Sequence, residues 1–163
     1  MKKDGDAMKY LKWTFKDEVG SREDQKFEVG KVATCDTWDP TNTDWDKRGG
    51  FNFTNEECAL RWMSRGDTLY EVEIPSDGET LVVKNDKTPG GIIVANKIIL
   101  KNPIPISNEL LEAYYEKSKL PLSTYFECIG LLAARSYYDL ALRIIDDKVN
   151  PDNIDMAIEE YNN

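Results

Sequence analysis

At Pro103 and Pro105 the spacing of apolar residues changes, and that change restricts the fold more than any other feature of the chain. Upstream, apolar and polar residues alternate as in a strand; downstream they recur about every 3.6 residues, as in a helix. Proline withholds a ladder donor and pushes its predecessor out of helical space, so the pair predicts the boundary between the two regimes. Before it, Leu11, Trp13 and Phe15 alternate with Lys12 and Thr14, which predicts a half-buried first strand. Phe27, Val29 and residues 32–35 predict a second strand, interrupted at Gly30, and Phe51 with Phe53 a third. Tyr70, Val72 and Ile74 share one face of the next, with Glu71 and Glu73 on the other. Residues 81–84, 92–95 and 97–100 complete the set, the last two apolar enough for burial on both faces. Trp62, Val82 and Ile145 are among the expected core positions.

Between the third and fourth strands, Thr54-Asn55-Glu56-Glu57 reads as a capping box with Thr54 as N-cap. It predicts a helix of about three turns, with Ala59, Trp62 and Met63 inward and Gly66 as a left-handed cap. Past the prolines, Ser107 caps a helix carrying Leu110, Leu111 and Tyr114, and a second helix carries Phe126, Ile129 and Leu132. Ser136 with Asp139 predicts the start of a third, and Asn150-Pro151 that of a fourth with Ile154, Ala157 and Ile158. The fold class expected is α+β: a twisted, mainly antiparallel sheet of five to seven strands with one inserted helix, plus an all-helical C-terminal extension. Residues 8–106 would form the β-rich core and residues 107–163 the extension packed on it, as a single structural unit. Residues 1–7 and the charged stretch 17–25 are expected to be a polar terminus and a loop.

Thirty acidic against 21 basic side chains give a net charge of −9, which repels nucleic acid and anionic lipid. No direct nucleic-acid binding and no membrane association are therefore expected. The acidity is concentrated in residues 107–163, where 11 acidic face 5 basic side chains. Asp152, Asp155 and Glu159 are spaced to share one helix face, with Asp146 and Asp147 on the helix before, and a basic protein is the partner such a surface fits. Cys35, Cys58 and Cys128 form neither a CxxC pair nor a zinc spacing, and MKKDGDAMKY lacks an apolar leader run, so a cytoplasmic location is expected.

The chain contains no histidine, which removes Ser-His-Asp and Cys-His nucleophiles and HExxH zinc sites. No phosphate-cradling glycine loop follows a strand. No catalytic residue, cofactor or metal is accordingly assigned. Asp44-x-Asp46 starts like a calcium loop, but Arg48 occupies its fifth position and Asn55 the twelfth, where a bidentate Glu is required. Glu71 and Glu73 have the Glu-x-Glu spacing used by glycosyl-transfer enzymes, and equally that of a solvated strand face. Trp38 and Trp45, in the long polar connection 36–50, could stack on a ligand, bind a partner's arginines, or cover a sheet edge.

At KWTFKD, GGFNFT and LYEVEIP the chain resembles a small domain of unknown function found in proteins of phages, prophages and bacterial mobile elements, over roughly residues 10–106. It has a more distant likeness to the ADP-ribosyltransferase fold, in which Phe51, Phe53 and Thr54 would match a conserved strand end. Enzymes of that fold hold NAD with a His or Arg on the first strand and use a late catalytic Glu. The first strand here offers Lys9, Lys12 and Lys16, so the resemblance implies a binding scaffold. The mobile-element likeness and the acidic helices together imply an interaction protein that inhibits a host nucleic-acid-binding defence factor, of CRISPR or restriction type, by occlusion. Asp146, Asp147, Asp152, Asp155, Glu159, Trp38 and Trp45 would bind that partner. The alternative is an ADP-ribosyltransferase-like enzyme or a binder of NAD-derived or ADP-ribose-derived nucleotides, using Phe53, Thr54, Glu71 and Glu73. A homodimer through the helical end is a third expectation.

Overall fold

The computed structural model describes residues 9–15 and 27–162; the expected polar terminus 1–7 and charged loop 17–25 lie outside the described residues. Strands β1 (Tyr10–Thr14), β2 (Val32–Thr34), β3 (Phe51–Asn55), β4 (Thr68–Glu73), β5 (Thr80–Val83), β6 (Ile92–Ala95) and β7 (Lys97–Pro105) form one sheet. Its order is β2-β7-β4-β1-β3-β6-β5, and every pairing is antiparallel. The short α1 (Trp45–Arg48) precedes β3, and a 3-10 helix (Ala59–Arg65) joins β3 to β4. Helices α2 (Asn108–Lys117), α3 (Leu122–Ala134), α4 (Tyr138–Lys148) and α5 (Ile154–Tyr161) follow, so the fold is α+β with its helices gathered at the C-terminal end.

The alternation along β1 puts Leu11 and Trp13 on one face of the sheet, beside Leu69 of β4. Ala59, Leu60 and Met63 from the 3-10 helix, and Leu111, Phe126, Leu132, Leu140 and Ile144 from the helical end, close over them in one core. The helices therefore cover the sheet instead of trailing from it. A second core on the opposite face joins Phe51, Phe53 and Ala95 from one side of β1 to Tyr70, Val72, Ile98 and Leu100 from the other. The sheet curves around that cluster, which buries both faces of β1.

Four local expectations need correction. Thr54 is buried in β3 opposite Leu11, because pairing with β1 prolongs the strand; the capping oxygen is Asn55 Oδ1, accepting from the amides of Glu57 and Cys58 at 3.0 and 3.1 Å. The helix after it is the seven-residue 3-10 segment. Gly66 is extended, not left-handed: a Cβ there would stand 2.3 Å from the Thr14 backbone, so glycine is needed for close approach. The two prolines do not end β7. The Ile106 amide donates to Asp67 O, so by alternation the nitrogen of Pro105 faces away from β4, past the point where β2 pairs with β7, and Pro103 falls where a bulge already interrupts the ladder. One extra residue in β7 near Asn102, which is left-handed at φ 53°, makes a bulge opposite Tyr70.

Helix starts also differ. Ser107 caps α2 as expected, its Oγ accepting from Leu110 N. Ser136 is left-handed and Tyr137 precedes α4 without a side-chain cap, while α5 begins only at Ile154, after the turn containing Pro151 and Asp152. Of the expected core, Val82 is 60% exposed on the edge strand β5 and Ile145 is 40% exposed on α4; Trp62 is only partly buried.

Candidate functional site

Strands β1 and β3 share only two residue pairs, Tyr10 with Asn55 and Leu11 with Thr54. Beyond them β1 keeps β4 beside it, whereas β3 turns away with β6. The gap is a cleft of about 180 Å³ lined by Leu11, Lys12, Trp13, Phe15, Asn52, Phe53, Thr54, Trp62, Ser64 and Arg65.

Lys12 stands where the next cross-strand pair would be. Its ammonium takes the place of the missing ladder donor, reaching Asn52 O at 2.5 Å and Asn52 Oδ1 at 3.4 Å. The side chain is buried at 7% exposure, and burial together with the nearby Arg65 charge lowers its pKa to about 8. Arg65 lies over the Trp62 ring at 5.6 Å from its centroid, and Arg61 stacks on the same ring at 4.2 Å. Among the described residues neither Lys12, Arg61 nor Arg65 has an ion-pair partner, and Arg61 Nε is buried without a hydrogen bond. Trp13 is fixed by donation from Nε1 to Ala59 O at 2.9 Å, and Phe15, 48% exposed, stands at the mouth.

The cleft therefore pairs uncompensated positive charge with aromatic surface, and no carboxylate lines it among the described residues. At an effective dielectric near 20, a unit negative charge about 4 Å from a lysine gains on the order of 4 kcal/mol before desolvation. The volume sets the other limit. Pockets that enclose drug-sized ligands measure roughly 300–1,000 Å³, so this smaller cleft takes one ring or one phosphate-bearing end and not an enclosed dinucleotide.

Of the residues expected for nucleotide binding, Phe53 and Thr54 line the cleft, Phe53 packing edge-on against Tyr10 with ring centroids 5.3 Å apart. Glu71 and Glu73 do not. Glu71 accepts from the Asn102 amide at 2.7 Å and pairs with Lys9 at 3.1 Å, and those contacts, Asn102 first, hold its carboxyl below the usual range. Glu73 pairs with Lys101 at 2.8 Å. Both carboxylates thus serve the β4–β7 and β1 neighbourhood. Lys12, Arg65 and Trp62 were not singled out by sequence as site residues. Alternation puts Lys12 on the polar face of a half-buried strand, and its burial follows from the pairing that sets it opposite Tyr70.

The residues expected to bind a partner fall into separate places. Trp38, in the loop before α1, donates from Nε1 to Glu79 at 2.8 Å, and Trp45, the first residue of α1, carries Arg48 over its ring at 4.2 Å. The five acids lie on α4, on α5 and in the turn between them, Asp152 preceding the helix. Asp147 accepts from Tyr115 Oη at 2.7 Å and lies 3.8 Å from Arg143 Nε. The other four have no ion-pair partner among the described residues. Asp44 Oδ1 accepts from Asp46 N and so caps α1. Among the described residues no group of three or more His, Cys, Asp or Glu could hold a metal ion, and no helix is long and apolar enough to cross a membrane. Burial raises the thiol pKa of Cys58 to about 11 and of Cys128 to about 12, which leaves both protonated and unreactive at neutral pH. No family model, curated protein or solved structure matches the chain.

Proposed function

We propose that this domain binds a small anionic ligand of the mononucleotide class in the cleft where β1 and β3 part, and that it acts as a binding module. The observation that carries the reading is the convergence of Lys12 and Arg65, without a carboxylate among the described lining residues, on a cleft walled by Phe15, Phe53 and Trp62 in a chain of net charge −9. The phosphate would lie between the two cations, with the rest of the nucleotide extending out of the cleft past the exposed Phe15. This keeps the nucleotide-binder half of the ADP-ribosyltransferase likeness and leaves out the transferase. Glu71 and Glu73, the acids such chemistry would use, are engaged elsewhere.

Tryptophan emission offers a direct test, because Trp13 and Trp62 line the cleft. Titration with AMP, ADP, ADP-ribose or inorganic phosphate should quench it saturably for at least one nucleotide. Arg65→Ala should weaken that binding about tenfold, in line with the loss of a charge-assisted contact. Quenching that is absent for every ligand, or unchanged in Arg65→Ala, would remove the reading.

A second reading, occlusion of a basic host defence factor by a phage or mobile-element protein, is favoured by one observation: Asp146, Asp152, Asp155 and Glu159 are exposed and unpaired among the described residues. Reversing these charges would abolish inhibition of such a factor, if inhibition is its activity, while leaving nucleotide quenching unchanged.

A further inference from the structure

The helical end carries a groove of about 190 Å³ lined by Ile129, Ile145, Val149, Ile154, Ala157, Ile158 and Tyr161. Ile154, Ile158 and Tyr161 are 47%, 56% and 49% exposed, contiguous open aliphatic and aromatic surface on one short helix. The helical repeat of about 100° per residue determines what borders it. On α5, Ile154, Ala157, Ile158 and Tyr161 form one stripe, and Asp155 and Glu159 fall together beside its Ile158 edge. On α4, Leu140, Ala141 and Ile144 point into the core, Ile145 faces the groove, and Asp146 falls beyond it next to the exposed Leu142. The apolar floor is thus bordered by unpaired carboxylates from both helices.

From this we infer that the α4–α5 face is a docking groove for a basic amphipathic helix of a partner protein. Two apolar side chains one turn apart would enter between Ile145 and Ile158, and lysines or arginines on either side would meet Asp146, Asp155 and Glu159. The eight residues of α5 span about 12 Å, enough for roughly two turns of such a helix. Charge selects the occupant. A second copy would bring two acidic rims together in a molecule already at −9, which opposes self-association. The chain's own segments outside the described residues fit no better, since residues 16–26 contain a single aliphatic side chain, Val19, and residues 1–8 hold no two apolar side chains one turn apart. The inference is separate from the cleft, and it names the surface that the occlusion reading requires without depending on the partner's origin.

The test uses a leucine/lysine peptide patterned as an amphipathic helix and a scrambled peptide of the same composition, each titrated into the full chain with isoleucine methyl NMR as the readout. The patterned peptide should shift the Ile129, Ile145, Ile154 and Ile158 methyls and leave those of Ile92 and Ile98 in place. Ile158→Gln, at an exposed position, and Asp155→Asn with Glu159→Gln should each weaken it about tenfold. Unchanged affinity in Ile158→Gln, or equal binding of the scrambled peptide, would reduce the effect to general charge attraction and overturn the inference. Sedimentation of the free protein as a dimer that Ile158→Gln dissociates would give the groove to a second copy and overturn it too.

Discussion

Lys12 concentrates the physics of the cleft in one side chain. Its pKa of about 8 in the folded protein lies below the 10.5 of an ordinary lysine, so between those values the unfolded chain binds more protons. Lys12 should therefore contribute stability that rises with pH across that window, while the Cys58 and Cys128 thiols, raised to about 11 and about 12, contribute the opposite slope; urea denaturation in steps from pH 8 to 10.5 should show stability falling more steeply in Lys12→Met than in the wild type. An anion in the cleft has the opposite preference, because it favours the ammonium. Its affinity should hold below about pH 8 and decline as pH rises through that value, which a pH series of nucleotide titrations would show. Gly66 is the second residue with a sharp requirement. Gly66→Ala sets a Cβ 2.3 Å from the Thr14 backbone and should cost about 1–3 kcal/mol or more in urea denaturation, as overpacking does; a loss within experimental error would mean that β1 and the 3-10 helix can separate freely.

At the scale of elements, the 3-10 helix depends on a neighbour distant in sequence. Arg135, at the end of α3, donates from Nη1 to Met63 O at 2.6 Å and to Gly66 O at 2.8 Å, satisfying carbonyls at the C-terminal end of that helix. Arg135→Ala should cost about 1.5–3 kcal/mol, the range for hydrogen bonds to a charged group, with partial recovery in Arg135→Lys. Phe126→Ala, in the middle of the larger core, should cost about 3–5 kcal/mol, and Trp62→Ala less, because that ring is only partly buried. Elements governed by local periodicity were legible in the sequence: β1, β4, the strand pair β6–β7 and all four C-terminal helices lie close to where alternation and 3.6-residue spacing put them. What could not be read was decided by partners far along the chain. Pairing with β1 draws Thr54 into β3, the orientation of the Pro105 nitrogen and the bulge at Pro103 make two prolines harmless, and the edge position of β5 exposes Val82. Phe53 and Thr54, which line the cleft, are named by their motif, whereas Lys12 joins the lining only because the second cluster buries its face of β1.

The whole molecule is tied together across the sheet–helix division. The larger core takes Leu11, Trp13 and Leu69 from strands and Phe126, Leu140 and Ile144 from helices, and Lys87, in the β5–β6 turn, pairs with Glu127 of α3 at 2.6 Å and with Glu160 of α5 at 3.5 Å. All four tryptophans precede residue 63, so their fluorescence follows the sheet portion while far-UV circular dichroism is dominated by the helices. The two signals should report one coincident urea transition; separate midpoints would mean two units. We propose that this molecule of net charge −9, which keeps two uncompensated cations in an aromatic cleft, binds an anion there. Calorimetric titration of ADP into the wild type and Lys12→Met, side by side at low salt and pH 7, tests it most directly: saturable one-to-one binding that disappears in the folded variant is the predicted result, and either no binding to the wild type or the same isotherm for both proteins would contradict it.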